Sequence, residues 1–150
     1  MEKERIAILK AELEAQVGEI EKIYVRLDER SKKKGKAAAE SIGYQLHNLY
    51  CAFEDLFEIV AKTFENNIHE KGRYHLELLK RMTIAIEGVR PSLLSQEVFV
   101  LLDNLRSFRH FFRHAYSYDL DERKVRIVLS DAFKLRDVYQ KDIRAFWGSF

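Results

Sequence analysis

The residues best suited to chemistry lie between Asp103 and Asp121, in the stretch DNLRSFRHFFRHAYSYDLD. Arg106, Arg109 and Arg113 repeat at i, i+3, i+7 and share one helical face, while His110 and His114 are four apart on another. Arg109, His114 and Tyr116 stand at R-x4-H-x-Y spacing. A histidine titrating near neutrality can move protons, and an arginine stays charged and forks onto phosphate oxygens. Together they suffice to cleave RNA, because an RNA phosphodiester carries its own nucleophile in the 2′-hydroxyl. The enzyme has only to take that proton, protonate the leaving oxygen and stabilise the anionic transition state. Arg106 and Arg113 would hold the backbone electrostatically. R-x4-H alone is a common accident of composition, and the tyrosine two residues on makes it rarer. The bland alternative is a solvated arginine face edged by histidines.

Geometry constrains that reading. At about 100° per residue, Arg109 and His114 lie roughly 140° apart on a straight helix, so one straight helix does not aim both at one small group. Either the helix unwinds near His114, or a site is composed from two copies of the chain.

The element carrying the motif is predicted from about Ser95 to Ala115. Val98, Leu101, Leu105, Phe108, Phe112 and Ala115 form its apolar stripe, with Ser95 as N-cap. A first helix is expected over 3–30, with Ile6, Leu9, Leu13, Val17, Ile20, Tyr24 and Leu27 inward. SKKKGK, from Ser31 to Lys36, reads as a solvated basic turn around Gly35. A second helix is expected over 37–68, on a seam of Ile42, Leu46, Leu49, Phe53, Leu56 and Val60 widened by Tyr50, Phe57 and Phe64. Glu54 and Asp55 lie beside that seam; either could reach a site, but solvated surface carboxylates are the simpler reading, and His47 reads as satisfied or exposed. After a turn around Gly72, a shorter helix is expected over 74–87, with His75, Leu79, Met82 and Ile86 on one stripe, ended by Gly88 and Pro91. The last helix is expected over 121–147, opened by a capping box of Asp119 and Glu122, with Val125, Val128, Ala132, Leu135, Tyr139, Ile143 and Phe146 inward. No segment alternates with period two. The expected fold is all-α, a single-domain antiparallel up-and-down bundle of four long helices plus one short one over 1–150.

Other chemistries find little support. None of the five histidines has a glutamate three positions before it, H-E-x-x-H is absent, and no third ligand accompanies His110 and His114, so no metal or other cofactor is expected. There is no G-x-S-x-G or G-x-G-x-x-G, and Cys51 lacks an evident histidine partner. One cysteine makes no internal disulfide, there is no apolar leader or membrane span, and a net charge of +2 does not mark a polyanion binder. A cytoplasmic protein without membrane contact is expected.

The segment LDNLRSFRHFFRHAY, at the end of a helix in an all-helical chain, resembles the HEPN superfamily, and more narrowly the HepT-like toxins paired with minimal nucleotidyltransferase antitoxins. YQLHNLYCAFEDLFEIVA in the second helix is similar to the same subgroup. The resemblance implies a metal-independent ribonuclease acting as a homodimer, with two motif helices forming a composite cleft. It implies that Arg109 polarises the scissile phosphate, that His114 is the acid/base, and that His110 takes the polar position after the arginine. It implies Tyr116 as acceptor of AMP from the antitoxin, whose bulk and charge would block the cleft, and tRNA among the substrates. A non-catalytic helical module binding a protein or nucleic acid is the alternative, and an ordinary bundle with a coincidental motif the third.

Overall fold

The computed structural model describes residues 2–65, 74–116 and 119–150. Among these residues the regular elements are five helices, α1 (Lys3–Ser31), α2 (Lys36–Phe64), α3 (Tyr74–Arg81), α4 (Gln96–Arg113) and α5 (Glu122–Gly148). The end of the second expected helix and the turn at Gly72 lie outside the described residues, as do Ser117 and Tyr118.

Side-chain bonds along the helices give their directions. Arg5 near the start of α1 reaches the Thr63 carbonyl near the end of α2, and Gln16 reaches Ala52, so α1 and α2 run antiparallel. Ser95 and Asn104 on α4 meet Asp142 and Asp131 on α5, again antiparallel. Arg136 forks onto Asp28 of α1 at 2.8 and 3.0 Å, and Tyr24 donates to the Ala132 carbonyl at 2.8 Å.

The core is a single cluster on the expected stripes. All six seam residues of α2 are buried, as are Tyr50 and Phe57. Each such aliphatic or aromatic side chain contributes about 1.5–3 kcal/mol when fully buried. In α4 the buried set is Val98, Leu102, Leu105 and Phe108, with Leu101 and Phe112 half-buried, and in α5 Leu129 replaces Val128 as the inner residue. Both shifts are the one-residue drift of a straight 3.6-residue helix against a shorter repeat.

Two boundaries depart from expectation. Helix α3 stops at Arg81 instead of near residue 87. The chain then turns on an isolated bridge between Ile86 and Arg90, with Gly88 at φ 77°. Arg90, 4% exposed, organises this segment: its guanidinium donates to the carbonyls of Ile84 and Pro91 at 2.9 Å and of Arg81 at 3.2 Å, and pairs with Glu65 at the end of α2. The Arg81 carbonyl is one that a helix continuing to residue 87 would have used internally. Helix α5, for its part, is capped by Asp121, whose side chain accepts from the Arg123 N–H at 2.9 Å, and not by a box of Asp119 and Glu122. Asp119 pairs with Lys36 at 3.2 Å, and Glu122 accepts from the Gly35 N–H at 3.2 Å, drawn away to fasten the α1–α2 turn. Ser95 caps α4 as expected, accepting from Val98 N–H.

Removing the Arg90 side chain leaves the buried Glu65 carboxylate without its ion-pair partner. Arg90→Ala should therefore cost about 3–5 kcal/mol in urea denaturation, whereas Arg123→Ala, on the exposed start of α5, should change the midpoint little.

Candidate active site

Helix α2 presents a second face beside its apolar seam. Gly43, His47, Tyr50, Cys51 and Glu54 recur at steps of three and four, and this face receives α4. The closest approach is at Gly43. A Cβ there would lie 2.8 Å from Cε1 of Phe112 and 3.2 Å from Leu120, so only glycine admits the Phe112 ring. Phe112 stacks on Phe108 at 5.8 Å and tilts against the His47 ring at 5.9 Å. The end of α4 is thereby seated on α2.

That seat aims Arg109 into the groove between α2 and α3. Its Nε approaches Cys51 Sγ and its Nη1 approaches His75 Nε2, both at 3.5 Å. His75 Nδ1 lies 2.6 Å from Oε2 of Glu54, which is 6% exposed. A guanidinium only donates, so Nε2 of His75 accepts, and the ring proton on Nδ1 is donated to the carboxylate. The result is a polar chain across three helices, Arg109 to His75 to Glu54. Burial pushes the Glu54 carboxyl up from its ordinary range, while the His75 hydrogen bond and the charges of His75 and Arg109 pull it back. Tyr50, buried beside Glu54, has its hydroxyl pushed up by burial and by that carboxylate.

Around this chain sit further groups. His47 is half-buried, with its Nδ1 enclosed and unpaired among the described residues. Burial lowers its pKa, and the charges of Arg109 and Arg113 lower it further against a contact with Asn48 that raises it. Arg106 is held by Asp103 at 2.9 Å, and Arg113 is exposed. Tyr74 donates to Glu58 on α2, which ties the start of α3 beside His75.

Helix α4 ends at Arg113. His114 is its C-cap at φ −107°, ψ 6°, with its N–H on the Phe111 carbonyl at 3.1 Å, and Ala115 closes on Phe112 at 3.2 Å. The helix does unwind at His114, but the Arg109 side chain meets Cys51 and His75 and not His114 among the described residues. The His114 ring lies 4.8 Å from that of His110, both are exposed, and Tyr116 is 92% exposed. Arg109 is thus gathered with His75, Cys51 and Glu54, while His110 and His114 form a separate pair at the helix end.

Of the two carboxylates beside the seam, Asp55 is exposed, as solvated carboxylates are, whereas Glu54 is buried and bonded to His75. His75, expected on a stripe with Leu79, Met82 and Ile86, instead keeps 40% of its side chain exposed and meets Glu54 and Arg109. The available signal was a carboxylate four residues after a buried tyrosine on α2, matched by a histidine opening the next helix.

A family model for HepT-like proteins matches residues 41–150, which include α2 from Ser41 onward, α3, α4 and α5. The chain belongs to the HepT-like family. That makes it a HEPN-superfamily protein, of a family whose members suggest HEPN-type ribonuclease toxins of toxin–antitoxin pairs. The family implies RNA and a nucleotidyltransferase antitoxin as partners. No curated protein and no solved structure matched the chain. No helix of the described residues is long and apolar enough to cross a membrane.

The geometry yields two expected outcomes. Gly43→Ala should destabilise the fold by about 1–3 kcal/mol, the usual cost of overpacking, and Phe112→Leu in the same chain should recover part of it. His47, with its pKa depressed in the fold, contributes stability above the unfolded-state value that is lost as pH falls through the folded one. The melting-temperature advantage of wild type over His47→Gln should therefore shrink between about pH 7.5 and pH 5.

Proposed function

We propose that this HepT-like protein is a metal-independent ribonuclease toxin of the HEPN type, built as a bundle of four long helices and one short one. Arg109 binds and polarises the scissile phosphate, and His114 acts as acid/base. The observation that carries this reading is the state of Arg109. Among the described residues its partners are a thiol and an imidazole at 3.5 Å, not a carboxylate bridge. Its fork is left available to an anion, at a helix end bearing Arg113, His110 and His114. Arg106 and Arg113 supply the positive field that holds the RNA backbone, and His110 contributes a donor beside His114.

The active form is a homodimer. An apolar groove of about 470 Å³ runs between α4 and α5, lined by Phe108, Phe111, Val125, Ile127 and Val128 among others, with Ile127 64% exposed. It lies on the side of α4 away from Arg109, and His114 falls angularly between the two. Pairing along this groove brings two motif segments side by side. The substrate is RNA, with tRNA the first to test, and the setting is the cytoplasm.

The antitoxin nucleotidyltransferase transfers AMP to the Tyr116 hydroxyl. At 92% exposure that oxygen is reachable in the folded protein, and the added phosphate places negative charge on the turn that follows His114.

Cleavage of total tRNA in EDTA is the direct test. Arg109→Ala and His114→Ala should each reduce the rate by at least about a hundredfold. Unchanged turnover by both variants would remove the assignment and favour a non-catalytic binding module on the same fold. Intact mass after co-expression with the antitoxin should rise in steps of one AMP, and Tyr116→Phe should abolish the rise.

A further inference from the structure

Cleavage of RNA by its own 2′-hydroxyl needs two proton transfers, and the proposed reading assigns one catalytic imidazole, His114, per R-x4-H motif. A second imidazole stands beside Arg109 on a different helix. We propose that His75, oriented by the buried Glu54 carboxylate, is the general base that activates the 2′-hydroxyl at the Arg109 phosphate site. This inference rests on the ribonuclease reading and adds to it a catalytic residue outside the motif.

The arrangement has the parts a base requires. Glu54 is 6% exposed and engages Nδ1 at 2.6 Å, which fixes both the tautomer and the ring plane. Nε2 is left as the acceptor and faces Nη1 of Arg109 at 3.5 Å. The His75 side chain keeps 40% of its surface exposed, so the ring edge is open to a substrate. Tyr74 packs edge-on against it at 5.6 Å and is itself bonded to Glu58, which anchors the start of α3. A phosphate entering the site competes with His75 for the guanidinium. Binding therefore frees the Nε2 lone pair beside the phosphate, where the 2′-hydroxyl of the same nucleotide arrives.

The step balances without a co-reactant. The 2′-hydroxyl proton passes to His75 Nε2 while the 2′-oxygen forms a bond to phosphorus. The P–O5′ bond breaks, and the 5′-oxygen takes a proton from the His114 imidazolium. The products are a 2′,3′-cyclic phosphate and a 5′-hydroxyl. His75 then returns its proton to water and His114 regains one, restoring the starting state. Glu54 touches no reacting atom and is a positioning residue: its charge steadies the imidazolium that forms on His75.

The test separates base from acid by the leaving group. The substrate is an oligoribonucleotide whose single scissile bridging 5′-oxygen is replaced by sulfur, since a thiolate departs without a proton. The full-length protein is assayed in EDTA on this and on the ordinary oligonucleotide, as wild type, His75→Gln, His114→Ala and Glu54→Gln. On the ordinary substrate His75→Gln should lose about a hundredfold or more in kcat, with KM changed little. The sulfur substrate should restore His114→Ala substantially and His75→Gln not at all. Glu54→Gln keeps an acceptor for Nδ1 but not the charge, so it should lose less than His75→Gln and show the same indifference to the leaving group. Added imidazole should partly restore a His75→Ala variant, a readout that misfolding would not give. Wild-type rates from His75→Gln, or its rescue by sulfur, would overturn the assignment as base while leaving the ribonuclease reading intact. Absence of cleavage by the wild type would overturn both.

Discussion

A carboxylate buried among helices must be compensated, and Glu54 is the point at which α2, α3 and α4 meet that demand together. Its negative charge sits on the inner face of α2, at a depth where an unpaired ion would be strongly unfavourable. The imidazole of His75 answers it from α3, and Arg109 on α4 stands one ring further out. None of the three helices could rotate or slide without breaking this chain. The interaction thus fixes the register of the helix pair around the motif, and it leaves the arginine beside a thiol and an imidazole rather than a carboxylate.

The apolar architecture supports that chain from outside. Phe112 locks the end of α4 over Gly43, Tyr74 and Glu58 hold the start of α3, and Arg90 with Glu65 holds the segment leaving it. Beyond Phe112 the constraint ends. The chain turns at His114, and its polar groups face outward. Arg109 is held where three helices meet, whereas His114 and Tyr116 face solvent.

Much of this was legible in the sequence because period and burial go together. The α2 seam, the Ser95 cap, the basic turn at Gly35 and the end of the apolar stripe near Ala115 follow from spacing alone. The end of α3 did not, because Arg90 draws the Arg81 and Ile84 carbonyls to its guanidinium, and sequence gives no hint that an arginine nine residues past a helix end will fold back on it. The cap of α5 was misplaced for a related reason: Asp119 and Glu122 have the spacing of a reciprocal pair, yet both are committed to the far α1–α2 connection. The Glu54–His75 contact joins residues 21 apart on different helices. Charge normally argues for solvent, and only knowledge of which faces meet reverses that presumption.

The seat of Phe112 carries an implication for descent. Where an aromatic edge rests within 2.8 Å of the space a methyl group would fill, the two positions share one fixed volume. A lineage that gains a side chain at residue 43 must surrender bulk at residue 112, and neither change is tolerated long without the other. Across relatives of this chain the two sites should covary, large opposite small, even where the R-x4-H motif itself has been lost.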